Sequence, residues 1–183
     1  MATCGLKYSG LEHKMNQAIE EEVSWQNDPE IVQAQELVSN GNLDKALPIV
    51  KSYLAMKPNS VDAVSLVRDI HLRKNDIPMY LAYTERLCAL HLADRQPQAA
   101  WQDYEEYLQH GGQNLPAQTW LDLCRVPEQD GAFDRALQEY EKLAAAYPSE
   151  RQSLTAQLGA AKICLKRLNR PQDAIRIYDA IAR

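Results

Sequence analysis

Apolar residues recur along most of this 183-residue chain at the spacing of one helix face, three or four positions apart. The clearest stretch covers residues 133–146, where one face collects Phe133, Ala136, Leu137, Tyr140, Leu143 and Ala144. Alternating runs of Val, Ile and Thr, which indicate strands, are missing from the sequence. The pattern predicts about nine helices joined by short turns, and short turns force successive helices to lie antiparallel.

A small alanine recurs four times in the same local setting. Each copy follows a turn-forming residue and precedes a branched or aromatic residue four places later. The four pairs are Ala46 with Val50, Ala100 with Tyr104, Ala136 with Tyr140, and Ala174 with Tyr178. A helix–turn–helix unit that repeats in this way predicts stacked hairpins, an α-solenoid.

The repeat has one irregular interval. Ala46 and Ala100 are 54 residues apart, whereas the next two intervals are 36 and 38 residues. One helix between residues 60 and 93 therefore falls out of phase. We expect an acidic lead-in helix over residues 1–27 and a repeat domain of about four hairpins over 28–183, irregular between 60 and 110.

These residues resemble the tetratricopeptide repeat (TPR) family, whose pattern combines a large aromatic, a Leu, an Ala, an aromatic and a closing Pro. The best copy here consists of Trp120, Leu123, Ala136, Tyr140 and Pro148. The resemblance implies an all-α fold of antiparallel hairpins wound into a right-handed superhelix. Cys124 and Pro127 depart from the family pattern, so the first helix of that unit is expected to be short or bent, and Trp120 is expected to pack in the core.

A second resemblance is to the repeat domains of bacterial rhomboid-like membrane proteins. It is carried by the segment Val23-Ser24-Trp25 and by the stretch Gly111-Gly112-Gln113-Asn114-Leu115-Pro116-Ala117-Gln118-Thr119-Trp120. This resemblance implies that the chain is the cytosolic regulatory or interaction domain of a membrane protein.

Charge narrows the choice of partner. The net charge of −5 argues against nucleic acid, because binding to phosphates needs a dense basic surface. Residues 1–30 hold two lysines against six acids, whereas residues 150–183 hold seven bases against three acids. Opposite signs at the two ends could favour self-association, or both ends could simply be solvated.

Compartment signals are few. There is no apolar run of ~18 residues and no signal peptide, so we expect no membrane insertion by this chain and a cytoplasmic location. The four cysteines show no zinc spacing, which favours a reducing compartment.

Catalytic and metal-binding motifs are absent from the sequence. The histidines are scattered, and acids such as Glu139 and Glu141 lie beside bases, where solvated surface is expected. We therefore predict no catalytic residue, no metal and no cofactor. A small helical enzyme is the least favoured alternative.

The expected function is a non-enzymatic scaffold that binds a protein or peptide. In the TPR family, ligands lie in a concave groove lined by the first helix of each hairpin. Carried over by position, the groove residues would be Gln35, Ser39, Leu121, Arg125, Ile163, Lys166 and Arg167. The basic end favours an acidic or carboxylate-ended peptide. The basic residues with which chaperone-binding relatives hold a peptide terminus are not recognisable, so chaperone binding is not predicted.

Overall fold

The computed structural model describes residues 28–182, and every regular element in that range is an α-helix. The predicted all-α fold of antiparallel hairpins is thus confirmed, and the lead-in helix predicted over 1–27 lies outside the described residues. The helices are α1 (Pro29–Ser39), α2 (Leu43–Met56), α3 (Val61–Arg73), α4 (Ile77–Ala93), α5 (Pro97–Gln109), α6 (Ala117–Gln129), α7 (Phe133–Ala146), α8 (Arg151–Lys166) and α9 (Pro171–Ile181). The described residues divide into two compact units, one that ends at Asn75 and one that begins at Asp76.

In the first unit, α1 and α2 form a hairpin and α3 packs against both helices. Their shared core is apolar and consists of Ile31, Ala34, Val38, Ala46, Val50, Tyr53, Leu54, Ala63, Val64, Val67 and Ile70. Polar contacts hold the same three helices together at their ends. Lys57 donates to Asp28 at 3.1 Å, Lys74 pairs with Asp44, and Arg73 donates to the carbonyl of Val38 at 3.0 Å.

The second unit contains three hairpins, α4–α5, α6–α7 and α8–α9. Each hairpin contacts the next one, and the first helices α4, α6 and α8 also contact one another in that order. Because the helices alternate in direction, these three first helices run parallel, with their C-terminal ends along one edge of the unit.

The recurring alanines lie at the fourth position of α2, α5, α7 and α9. Ala46, Ala100 and Ala136 are fully buried, and Ala174 is 1% exposed. A small side chain at this point lets the second helix of each hairpin approach its neighbours closely, which explains why the residue recurs. The long interval from Ala46 to Ala100 contains both α3 and α4, whereas each later interval contains one intervening helix.

Pro127 does not shorten α6, contrary to the expectation of a short first helix. The helix continues to Gln129 and has 13 residues, as α3 and α5 do. Pro127 lies in the last turn, where one missing backbone hydrogen bond matters less, and its ring is buried. Packing of the ring therefore offsets part of the lost hydrogen bond.

Glu139 is fully buried, so the expectation that it belongs to the solvated surface is wrong. Its carboxylate accepts hydrogen bonds from the Tyr104 hydroxyl of α5 at 2.6 Å and from Trp120 Nε1 of α6 at 3.1 Å. Lys142, on the same helix as Glu139, donates to it at 2.9 Å. Trp120 is 3% exposed and lies in the core as predicted. One carboxylate thus joins α5, α6 and α7.

Burial raises the pKa of the Glu139 carboxyl, but the hydrogen bonds from Tyr104, Lys142 and Trp120 outweigh this effect and hold the pKa below its ordinary value. Burial raises the pKa of the Tyr104 hydroxyl far above its usual range, and the hydrogen bond to Glu139 raises it further. The charged form of Glu139 and the neutral form of Tyr104 are therefore the forms that the fold stabilises.

Each of the four first helices, α1, α4, α6 and α8, is followed by a turn that contains one residue with positive φ. In the turns that follow α1, α6 and α8 this residue is Gly41, Gly131 or Asn169, the residue types that adopt a left-handed backbone most easily. The turn after α4 instead uses Arg95, at φ 59°. For a residue with a Cβ and no short polar side chain, this conformation costs about 1–2 kcal/mol.

The first prediction concerns Glu139. Replacing it with glutamine (Glu139→Gln) should lower the free energy of unfolding of the second unit by about 2 kcal/mol, because three donors lose a charged acceptor. Since the folded pKa is depressed, the stabilisation is present above the ordinary pKa and is lost as pH falls through the folded value. Urea unfolding at neutral pH, and again as the pH falls to about 3, measures both effects.

Glu141→Gln serves as the control, because Glu141 lies on the same helix and is exposed. Equal stabilities for the two variants at neutral pH would contradict a structural role for the buried carboxylate.

A second prediction concerns the turn after α4. Arg95→Gly should raise the free energy of unfolding by about 1 kcal/mol, because glycine adopts the left-handed backbone without a steric penalty. The matched variant Gly131→Ala should change stability by a similar amount in the opposite direction. A Cβ at Gly131 would meet no atom within 4 Å, so only the backbone conformation is affected. Thermal unfolding measures both, and destabilisation by Arg95→Gly would refute the strain.

Candidate binding face on the second unit

The exposed side of α6 is a polar stripe. Its members recur at helical spacing and are Gln118, Asp122, Arg125 and Gln129. The opposite side of the helix, with Trp120, Leu123 and Cys124, is buried in the core of the unit. Because that core fixes the rotation of α6, the stripe keeps a defined orientation.

Two shallow pockets lie beside Arg125. The first, of about 340 Å³, is lined by Leu92, Arg95, Pro97, Asp122, Arg125, Val126 and Gln129. The second, of about 390 Å³, is lined by Arg125, Glu128, Gln129, Phe133 and Arg167. Arg125 and Gln129 belong to both. We call Arg95, Arg125, Arg167 and these two pockets the arginine face.

The two acids of the arginine face already have donors. Asp122 accepts from Arg125 at 2.7 Å and from Gln118 at 2.9 Å. Glu128 accepts from the Tyr140 hydroxyl at 2.9 Å and lies 3.8 Å from the Lys162 amine. Asp122 is thus paired with Arg125 within the face, whereas Glu128 contacts a neutral hydroxyl and one more distant amine.

Arg95 and Arg167 form no ion pair with a carboxylate of residues 28–182. The guanidinium of Arg167 instead lies over the ring of Phe133, 5.3 Å from its centroid. Stacking of this kind fixes the plane of the guanidinium while leaving its donors free. The arginine face therefore presents unneutralised positive charge at both of its ends.

Three of the residues expected at a binding groove are exposed on the second unit: Arg125, Lys166 and Arg167. Arg125 and Arg167 line the same pocket, and Lys166 is adjacent in sequence to Arg167. Leu121 and Ile163 are instead buried, at 5% and 1% exposure. Position in the repeat placed them at the edge of the groove, but the neighbouring helices cover that edge, so they are core residues.

Gln35 and Ser39 lie on α1 of the first unit, and both are exposed. The hydroxyl of Ser39 donates to the carbonyl of Gln35 at 2.9 Å, so its donor capacity is used within the helix. The amide of Gln35 is the more available group of the two.

Sequence analysis missed Arg95, Gln129 and Phe133. Arg95 could have been found from the turns, because an arginine occupies the position that glycine or asparagine holds in comparable turns. Gln129 and Phe133 carry no such signal, since a polar residue at a helix end and an apolar residue at a helix start are both ordinary.

Cys124 and the His91–Asp103 pair lie in packed positions of the second unit. No cluster of three or more potential metal ligands occurs in the range 28–182. Burial raises the pKa of the Cys124 thiol, and the charge of Glu139 adds to this, so the reactive thiolate is disfavoured. His91 and Asp103 lie 2.6 Å apart and join α4 to α5, where both are largely covered. None of the helices described here has both the length and the apolar character needed to cross a membrane.

The chain is similar to a curated protein and to several solved structures. No family model matches the chain. A curated relative, cellulose synthase operon protein C of Pseudomonas fluorescens (strain SBW25), is 23% identical over 189 residues. The match covers 87% of this chain and 14% of that protein, so the chain spans about a seventh of its relative's length.

Solved structures of low sequence identity also match. MamA protein is 16% identical, with 83% of this chain and 87% of that chain covered, at a TM-score of 0.46. YrrB, described as a TPR protein with an unusual peptide-binding site, is 14% identical, with 90% and 89% covered, at 0.44. The TPR-like repeats of a putative kinesin light chain from Podosopora anserina are 14% identical, with 84% and 92% covered, at 0.41. The resemblance to TPR proteins expected from the sequence is confirmed, while the helical fold itself rests on this chain's own hairpins.

Proposed function

We propose that this chain is a non-enzymatic interaction module that binds an acidic protein or peptide on the arginine face. The observation that carries the proposal is the pair Arg95 and Arg167, which lack carboxylate partners among the described residues and flank the exposed Arg125. Charges held without partners on a packed surface cost little to present and strengthen binding to a ligand of opposite sign.

The scaffold suits this role because its helices are already packed against one another. The three first helices are packed on one core, so their exposed residues keep a constant spacing. A surface that is already ordered loses less conformational entropy when a ligand binds. Leu92, Val126 and Phe133 line the two pockets and offer apolar contact beside the charged groups.

A peptide is the ligand class that this surface favours. The two pockets are small and open and lie side by side, which suits successive side chains of one extended segment. Lys166 adds positive charge next to Arg167. Gln35 and Ser39 stay candidates for contacts made by the first unit alone.

The alternative, a cytosolic domain of a rhomboid-like membrane protein, also stays a prediction. One of its two sequence features, Val23-Ser24-Trp25, lies outside the described residues. The other, residues 111–120, has a packing role in this structure. Leu115 is fully buried, and its carbonyl accepts from the Tyr147 hydroxyl at 2.7 Å.

Charge reversal provides the test. The double variant Lys166→Glu/Arg167→Glu should weaken capture of the natural partner at least tenfold, because one attraction is lost and a repulsion replaces it. Affinity capture from lysate of cells that express the protein, quantified by mass spectrometry against wild type, measures the loss. Binding to the wild type should also weaken as salt rises, since exposed charges are screened.

Arg151→Glu is the matched control. Arg151 is exposed on the same helix α8 but at its opposite end, away from both pockets. Circular dichroism of all variants checks the fold. An unchanged set of captured proteins with the double variant would refute an acidic partner on this face.

A further inference from the structure

We infer that the arginine face is a two-point receptor for an extended acidic segment, in which Arg95 binds one carboxylate and Arg167 binds a second about five or six residues away. This inference rests on the proposed function and specifies its ligand. It also assigns a binding role to Arg95, which the repeat pattern does not place at a groove position.

The spacing follows from the order of the helices. Arg95 follows the C-terminal end of α4, and Arg167 caps the C-terminal end of α8. Between them lies α6, which contacts both helices. Neighbouring helix axes are about 8–10 Å apart, so two steps separate the arginines by roughly 16–20 Å. An extended chain advances about 3.3 Å per residue and covers that distance in five or six residues.

The middle of the face suits a short uncharged stretch of peptide. Arg125 is partly neutralised by Asp122, so it attracts a third carboxylate less strongly than the two ends do. The exposed amide of Gln129, which belongs to both pockets, can donate to and accept from a peptide backbone. Val126 lines the first pocket and Phe133 lines the second. These apolar linings favour small apolar side chains between the two acidic residues of the peptide.

The two ends of the face differ in how they present a guanidinium. Arg167 is held by stacking on Phe133. Arg95 projects from a left-handed turn residue, at a position where glycine or asparagine would be more stable. A strained residue that also lines a pocket without a carboxylate partner is explained if its side chain contacts a ligand. Arginine is the side chain that recognises a carboxylate through two parallel hydrogen bonds.

A set of synthetic peptides tests the spacing. Fluorescent peptides with two glutamates at positions i and i+2, i and i+5, or i and i+10, in an otherwise identical Ala/Ser/Pro background, are titrated against the full chain. The i,i+5 peptide should bind at least tenfold more tightly than the i,i+2 peptide, which is too short to reach both arginines. It should also bind more tightly than the i,i+10 peptide, whose longer segment loses more conformational entropy when both glutamates are bound. Equal affinities at all three spacings would overturn the two-point receptor.

Variants then assign each contact. Arg95→Gly should weaken the i,i+5 peptide about tenfold while raising the melting temperature, so loss of fold cannot explain the loss of binding. A peptide with its Arg95-facing glutamate replaced by glutamine should show no further loss with this variant, which a double-mutant cycle detects. Arg176→Gln is the control, because it removes one positive charge from exposed α9, away from the face.

The outcomes separate the two proposals. If Arg95→Gly and Arg176→Gln weaken binding equally, or if no peptide binds up to about 1 mM, the two-point receptor is wrong. The acidic-partner function fails only in the separate capture experiment, if charge reversal at Lys166 and Arg167 leaves the captured proteins unchanged.

Discussion

The buried carboxylate of Glu139 is the constraint on which the second unit depends. A charge with no exposed surface is tolerated only when donors surround it, and here the donors come from α5, α6 and its own helix α7. Apolar packing alone lets neighbouring helices slide or rotate at small cost, because many arrangements bury similar areas. A carboxylate that needs Tyr104 and Trp120 at hydrogen-bonding distance fixes one register between two hairpins. It therefore sets the rotation of α6 as well as stabilising the core.

The rotation of α6 about its axis determines which of its side chains are exposed. Trp120 lies on the inner side of α6, and Arg125 lies on its outer side, less than two turns later. If Trp120 is held by Glu139, Arg125 must project between the two pockets. The position of Arg125 in the arginine face is thus a consequence of core geometry, while Arg95 and Arg167 lie just beyond the ends of the neighbouring helices.

Much of this fold can be predicted from sequence, and the remainder cannot for identifiable reasons. Helical periodicity located the hairpins, and the alanines at 46, 100, 136 and 174 marked the close contacts, because those signals are local. The burial of Glu139 was missed, since a glutamate near Arg135 and Lys142 has the same local pattern whether it faces solvent or a neighbouring hairpin. Leu121 and Ile163 were misplaced for a related reason: their exposure depends on the helices beside them. Of the proposed binding residues, only Arg125, Lys166 and Arg167 could be predicted from repeat position.

At position 95, the residue type that the turn favours differs from the residue type that a binding site for acids would favour. Turn chemistry favours glycine or asparagine after α4, and the corresponding turns after α1, α6 and α8 follow that preference. Such a departure does not by itself indicate a function, because natural proteins carry some backbone strain. The departure points to a binding role because the same side chain lines a pocket with Arg125 and has no carboxylate partner among the described residues. Stability and binding then favour different residues at one position, and the choice of arginine is the expected result if selection acted on binding.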